Sequence, residues 1–274
     1  MAMLNKDTTL CISLAGRPSN IGTRFHNYLY QELGLNFVYK AFTTGDIEAA
    51  IGGVRALGIR GCSVSMPFKE AVIPLVDELT ASATAIDSVN TIVNTGGRLT
   101  AYNTDYEAVA ELIGRHRLDP AAPVLLRGSG GMAKAVAAAF RDAGFGDLTV
   151  LARNAAAGPA LADKYGYRWA ARDPEPADDI LVNVTPLGMT GPDSGALAFS
   201  PAHVEAARAV FDVVASPAQT PLIRAARAAG KTVITGAEVI ALQAARQFEL
   251  YTGVPVTPDQ VARASAFSRE SARA

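Results

Sequence analysis

The chain has 274 residues, 49% of them hydrophobic and 19% charged, which supports one large or two medium cores and excludes a disordered chain. Lysine and arginine number 25 against 26 acidic residues, a net charge of −1 without a strong run of either sign, so bulk charge offers no nucleic-acid or anionic-membrane surface. No apolar run reaches the roughly 18 residues of a membrane span, and residues 1–9 are polar and lack a signal-peptide apolar region, so a cytoplasmic chain without membrane or nucleic-acid partners is expected.

Residues 9–15 read as a buried strand, 23–33 as a helix, 36–42 as a second strand, 47–57 as a helix and 61–66 as a third strand ended by Pro67. Segments 89–94 and 98–102 flank Gly96-Gly97, a hairpin signal. The alternation restarts at Pro123, with a strand over 124–127, a glycine turn at 128–131, a helix over 132–143 and a strand over 148–152. Segments 180–184, 209–214 and 232–234 read as later strands, with a helix over 221–229. Strand–helix alternation of this kind predicts an α/β fold with mostly parallel sheets, and the second half is one doubly wound unit. Two domains are expected, the second beginning near Thr104. The last helices, over 238–251 and 259–267, have no strand partner left and are expected to pack back on the first domain.

Cys11 and Cys62 lie among apolar residues and read as buried thiols of a reducing compartment. There is no CxxC or HExxH, and His26, His116 and His203 are scattered, so no metal site is expected.

Gly128-Ser129-Gly130-Gly131-Met132-Ala133 fits GxGxxA between a strand and a helix, the context of a dinucleotide fingerprint. The first glycine permits the turn, the second lets backbone approach a pyrophosphate, and Ala133 allows close helix–strand contact. The helix N-terminus then favours phosphate. An NAD site places Asp or Glu at the end of the next strand to bind the ribose 2′-hydroxyl. Here that end reads Val150-Leu151-Ala152-Arg153-Asn154, with no acid, and the planar fork of Arg153 suits a 2′-phosphate, favouring NADP.

Ser63-Val64-Ser65-Met66-Pro67-Phe68-Lys69-Glu70 lies where a strand ends, and ligands of open α/β sheets bind beyond the carboxyl ends of strands. Val89-Asn90-Thr91 and Asn103-Thr104-Asp105 add small polar side chains. A lysine held near an aspartate can exchange a proton with a substrate alcohol. Taken singly, Lys69 reads better as a solvated surface lysine, Asp105 as the cap of a helix starting at Tyr106, and Asn90 as a turn residue.

Taken in order, S-V-S-M-P-F-K, V-N-T, N-T-D and the G-x-G-G loop resemble the shikimate dehydrogenase family, whose first motif reads roughly N-V-T-x-P-x-K. The resemblance continues through Asn183-Val184-Thr185, Asp212, Thr220-Pro221 and Gln243-Ala244-Ala245 and covers nearly the whole chain. It implies that Lys69 is the catalytic lysine and Asp105 its accompanying aspartate. It implies substrate contacts from Ser65, Asn90 and Gln243, with Asp105 also touching substrate. The cofactor residues it implies are Gly128, Ser129, Gly130, Gly131, Met132 and Ala133, then Arg153, Asn154, Thr185 and Gly236. The implied architecture is a substrate-binding domain over residues 1–103, completed by helices within 237–274, and an NADP-binding Rossmann domain over 104–236.

The chain also departs from that pattern. Family members carry S-x-S-P-x-x-H-N, whose serines hold the substrate carboxylate; counting back from His26-Asn27, those positions hold Asn20 and Gly22. Ser19 and Thr23 stand nearby as replacements, and Arg24 is within reach of an anion. A substrate-contacting tyrosine is replaced by Ala215. These departures resemble the divergent shikimate dehydrogenase-like branch. The implied activity is NADP-dependent interconversion of shikimate, or a close analogue, with 3-dehydroshikimate, with weakened shikimate binding, in aromatic amino acid biosynthesis. The alternatives are a quinate or aminoshikimate-type dehydrogenase and a non-catalytic NADP-binding sensor. The partner is a small cyclic hydroxy acid, and the chain is expected to be a monomer or a homodimer.

Overall fold

The computed structural model describes residues 4–177 and 179–270; the expected domain limits at residues 1–3 and 271–274 lie outside them. The chain divides into two compact units, one of residues 4–104 with 241–270, the other of residues 105–240.

The first unit contains β1 (Thr9–Leu14), α1 (Asn20–Glu32), β2 (Phe37–Phe42), α2 (Ile47–Ala56), β3 (Gly61–Val64), β4 (Glu78–Leu79), α3 (Ala81–Thr84), β5 (Thr91–Thr95) and β6 (Arg98–Tyr102). Its sheet runs β2-β1-β3-β5-β6-β4. β1 is parallel to β2 and β3, whereas β5 is antiparallel to β3 and β6. Because β4 is parallel to β6, five of the six strands run the same way; the sheet is mostly parallel as expected, with β5 alone reversed where the glycine hairpin turns the chain straight back.

The second unit takes in α4 (Thr104–Arg115), β7 (Val124–Arg127), α5 (Gly131–Asp142), β8 (Leu148–Leu151), α6 (Ala157–Tyr165), β9 (Arg168–Ala170), β10 (Ile180–Asn183), α7 (Pro201–Ala206), β11 (Ala209–Asp212), α8 (Pro221–Ala228) and β12 (Thr232–Thr235). Its strands lie in the order β12-β11-β10-β7-β8-β9, all parallel. Counted from β7 this is the doubly wound order 3-2-1-4-5-6, whose switch point lies between β7 and β10. α9 (Gly236–Thr252) and α10 (Pro258–Glu270) complete the chain.

Alternation along β1 explains how the first unit is filled. Leu10, Ile12 and Leu14 face Ile51 and Val54 of α2, with Cys62 and Ile92 beside them. Cys11 faces the other way, into Phe25, Leu29 and Tyr30 of α1, Phe248 and Tyr251 of α9, and Val261 and Ala264 of α10. The second face thus draws its cover from both ends of the chain, and each large side chain buried there contributes about 1.5–3 kcal/mol. In the second unit Leu125, Leu151, Leu181 and Val210 pack against Phe199, Val204 and Leu222.

Three boundaries that matter for the site differ from expectation. α1 begins at Asn20, three residues early, with Ser19 as its extended N-cap. β3 stops at Val64, so Ser65 and Met66 belong to the turn and not to the strand. α4 begins at Thr104, which puts Asp105 inside the first turn instead of capping a helix from Tyr106. An acid there still suits the positive helix end.

Candidate active site

The Lys69 turn is held by main-chain bonds. Val64 N–H donates to the Asn90 carbonyl (2.8 Å), Ser65 N–H to that of Leu14 (2.9 Å), and Val89 N–H to that of Lys69 (2.8 Å). Ser65 is exposed and Lys69 half-buried. Asn90 is buried, and its Oδ1 accepts from Thr104 N–H (2.8 Å) and Thr91 Oγ1 (2.8 Å) while its Nδ2 donates to Thr104 Oγ1 (3.0 Å). Thr104 Oγ1 also lies 3.3 Å from Gln243 Oε1 as a donor. Asn90 therefore joins the Lys69 turn, Gln243 and the residue that precedes Asp105 in one frame.

That frame continues into residues the sequence reading missed. Gln247, one helical turn after Gln243, donates from Nε2 to Thr91 Oγ1 (2.9 Å) and accepts at Oε1 from Ser63 (3.1 Å). Ser63 in turn accepts from Tyr39 Oη (2.8 Å) and sits 3.0 Å from Tyr251 Oη. The available signal was the i, i+4 glutamine pair on one face of α9.

The segment around α1 corrects two expectations. Arg24 donates to the Phe267 carbonyl from Nε (3.2 Å) and Nη2 (2.9 Å), and its Cζ stands 4.1 Å over the Phe267 ring, so it fastens α10 instead of offering itself to an anion. Thr23 Oγ1 is buried, without a partner among the described residues, and does not face solvent. Ser19 is exposed and makes no side-chain cap bond, and Asn20 beside it is exposed as well.

The glycine loop follows β7. Gly128 N–H donates to the Leu151 carbonyl (2.9 Å), which continues the β7–β8 pairing into the turn. Gly128 has φ +124°, and a Cβ there would lie 2.7 Å from Val184 Cγ2 and 3.1 Å from Thr185 Cγ2, so conformation and space both require glycine. Gly130 is the N-cap of α5, and Cβ positions at Gly130 and Gly131 meet no heavy atom within 4 Å. Ser129 and Met132 are half-buried, while Ala133 is fully buried. An open backbone cradle at the start of a long helix offers unpaired N–H groups and a positive dipole end, a fit to phosphate.

Beyond β8, Arg153 is exposed. Asn154 Oδ1 accepts from the N–H groups of Ala156 and Ala157, both at 2.9 Å, so its side chain fixes the turn into α6. The donor set at this strand end is cationic, which matches a 2′-phosphorylated ribose.

The turns after β10 and β11 are tied to each other. Asn183 Oδ1 accepts from Thr185 N–H (3.1 Å) and Oγ1 (2.6 Å), while its Nδ2 donates to Asp212 Oδ1 (3.0 Å). Asp212 is fully buried and also accepts from Thr220 Oγ1 (2.6 Å) and Val214 N–H (3.1 Å). Burial raises its pKa, and these donors oppose that rise. Ala215 is half-buried in the turn that follows. Gly236, the first residue of α9, presses on this turn, since a Cβ would lie 2.2 Å from the Val213 carbonyl oxygen. Gly236→Ala is expected to destabilise the protein by about 1–3 kcal/mol through overpacking against backbone. Urea unfolding checks this, and an unchanged midpoint would show that the turn yields freely.

Among the described residues no group of three or more His, Cys, Asp or Glu could hold a metal ion, and no helix is long and apolar enough to cross a membrane.

Residues 20–92 match the family model described as the shikimate dehydrogenase substrate binding domain. A shikimate dehydrogenase-like protein of Haemophilus influenzae is 58% identical over 268 residues, 97% of this chain and 99% of that protein. The chain belongs to the shikimate dehydrogenase family. Within the family, the shikimate 5-dehydrogenase of Thermus thermophilus, solved with NADP(H) and shikimate, matches with TM-score 0.84 and 29% identity over 95% of this chain and 99% of that one. A quinate dehydrogenase from Corynebacterium glutamicum, solved with NAD, matches with TM-score 0.85 and 28% identity over 94% and 98%. The α/β substrate-domain and Rossmann-domain architecture of the family is the architecture of this chain, and its resemblance to the shikimate dehydrogenase-like branch holds.

Proposed function

We propose that the protein is an NADP-dependent dehydrogenase that oxidises a ring hydroxyl of a small cyclic hydroxy acid, shikimate or a close analogue, to the ketone and reduces it back. In this reading residues 1–103 with 237–274 bind the substrate and residues 104–236 bind the nucleotide. The observation that carries it is the buried Asn90 hub, which orders the Lys69 turn, Thr104 before Asp105, and Gln243 in one hydrogen-bonded frame. NADP, when bound, supplies the acceptor for the hydride leaving the ring carbon. Lys69 Nζ takes the hydroxyl proton as the carbonyl forms and returns it in the reverse direction. Asp105 supports Lys69 electrostatically. Ser65, Asn90 and Gln243 bind ring hydroxyls, and Ser19 binds the carboxylate. Gly128–Ala133 and Asn154 shape the phosphate loop and its flank, with Thr185 and Gly236 ordering the turns beside it.

The hydroxyl donors missing at Asn20, Gly22 and Ala215 favour weak shikimate binding. Each lost charge-assisted bond costs about 1.5–3 kcal/mol, roughly ten- to a hundredfold in affinity. The same losses favour a second reading, in which the ring acid is quinate or an aminated analogue. The deciding experiment follows NADP reduction at the nicotinamide absorbance with shikimate, quinate and aminoshikimate. Turnover on one of them supports the proposal. NADP binding without turnover on any cyclic hydroxy acid would favour a non-catalytic sensor.

Arg153→Ala is expected to raise the NADP dissociation constant about tenfold or more and leave that of NAD within about twofold. An equal effect on both nucleotides removes the 2′-phosphate assignment.

A further inference from the structure

β7 reads Val124-Leu125-Leu126-Arg127, so a guanidinium closes an otherwise apolar, buried strand immediately before the glycine turn. Arg127 shares the strand face of Leu125, and its Cζ lies 5.0 Å from the centroid of Phe199, which packs with Leu125 and Leu151. Nη2 is paired with Asp173, beyond β9. Nε is buried and has no partner among the described residues. The side chain is only 18% exposed. Burying a cation that leaves a donor unmade is unfavourable, and an apolar residue would close the strand at lower cost. The arginine therefore calls for a reason other than packing.

The register supplies one. In the parallel β7–β8 pair Arg127 stands opposite Leu151, and Arg153 is two residues further on. Opposed residues of parallel strands share a face, and so do residues two apart. Ala152, between them, points the other way, toward Gly158 of α6. Arg127, at the end of β7, and Arg153, in the bend just past the end of β8, therefore stand at neighbouring strand ends, near enough for the Arg153 charge to act on Arg127. Burial and then the Arg153 charge lower the pKa of Arg127. With Asp173 as the only carboxylate paired to them among the described residues, the two cations keep a net charge of +1. A phosphate monoester of charge about −1.5 to −2 complements that.

We propose that Arg127 is a specificity-determining residue for the cofactor, forming with Arg153 a two-guanidinium site for the adenosine 2′-phosphate, held in place by Asp173 and Phe199. This rests on the nucleotide reading given above. Arg127 then binds the phosphate from the strand end while Arg153 binds it from the following turn. Each fork offers paired N–H donors to phosphate oxygens.

The test titrates NADP, NAD, adenosine 2′,5′-bisphosphate and 5′-AMP against the full chain and the variants Arg127→Met, Arg127→Lys and Arg153→Ala. Arg127→Met keeps an unbranched chain over Phe199 and removes the charge. It is expected to weaken NADP and the bisphosphate tenfold or more, leaving NAD and 5′-AMP within threefold. Arg127→Lys, which keeps the charge without the fork, weakens NADP at least threefold with NAD unchanged and stands in if the methionine variant fails to fold. An unchanged NADP-to-NAD ratio in a folded Arg127 variant overturns the proposal, whether both nucleotides weaken equally or neither does. Arg153→Ala separates the levels. If it discriminates and the Arg127 variants do not, only this inference falls; if it does not discriminate either, the 2′-phosphate reading itself is wrong.

Discussion

Turnover of the hydroxy acid by Lys69→Ala is expected to fall by about 10²- to 10⁴-fold, the range over which a positioned proton-transfer group acts. The turn that carries Lys69 is fixed by its main chain, through the bond from Val89 N–H to the Lys69 carbonyl and from Val64 N–H to Asn90. The alanine variant retains both bonds, so the frame around Asn90 survives and NADP affinity stays within about threefold. Steady-state kinetics at saturating NADP, beside a direct nucleotide titration, separate the two quantities. A folded variant that turns over at the parental rate removes Lys69 from the chemistry. One that loses turnover and NADP binding together shows that the lysine serves the fold.

A second large effect is expected in acid. His26 is fully buried, stacked on Tyr39 with centroids 4.4 Å apart, and neither ring nitrogen has a hydrogen-bond partner among the described residues. Burial pushes its pKa down to about 3. In the unfolded chain the imidazole takes up a proton below its ordinary value near 6.5, while the native protein refuses it until about pH 3. Only the unfolded state gains from protonation in that window, so stability is intact above about pH 6.5 and declines as the pH falls. At 1.36 kcal/mol per pH unit the loss from this residue alone reaches roughly 2–3 kcal/mol by pH 4.5. His26→Phe keeps the ring and removes the titration. Its unfolding free energy, measured in urea at pH 7 and pH 4.5, is expected to drop less between the two pH values than that of the parent, by about that amount. An identical pH drop in the two proteins would mean that His26 is solvated or paired.

What the sequence made legible follows the physics of burial. β7 and β10 are buried along their apolar residues, so they read as short apolar runs closed by Arg127 and Asn183 and were placed almost to the residue. Gly128 announced itself because backbone conformation and space both reject a side chain there. β9 gave no such signal, being a three-residue edge strand with Arg168 and Trp169 exposed. α6 carries three alanines and a glycine, with Pro159 in its first turn, and weak periodicity hid it. Lys69, Asn90 and Gln243 were singled out as candidates through motifs. Gln247 was not, because its partner Ser63 is 184 positions away and only the fold brings them together. Arg24 was misread for the same reason: the Phe267 carbonyl that occupies it lies 243 residues along the chain.

The split of the first unit has a consequence for biosynthesis. One face of its sheet, with Cys11, Tyr39 and Val93, waits for α9 and α10, and residues 105–240 must be made in between. At ~5–20 residues per second the ribosome needs on the order of ten seconds to cross that stretch. During that interval the inserted unit can fold to completion while the nascent sheet ahead of it remains half covered, its apolar side open to chaperones or to other chains. A stop codon near residue 240 would leave the second unit whole and strand the first in that vulnerable state, so the aggregation risk in a truncated product lies with its amino-terminal third and not with the segment next to the break.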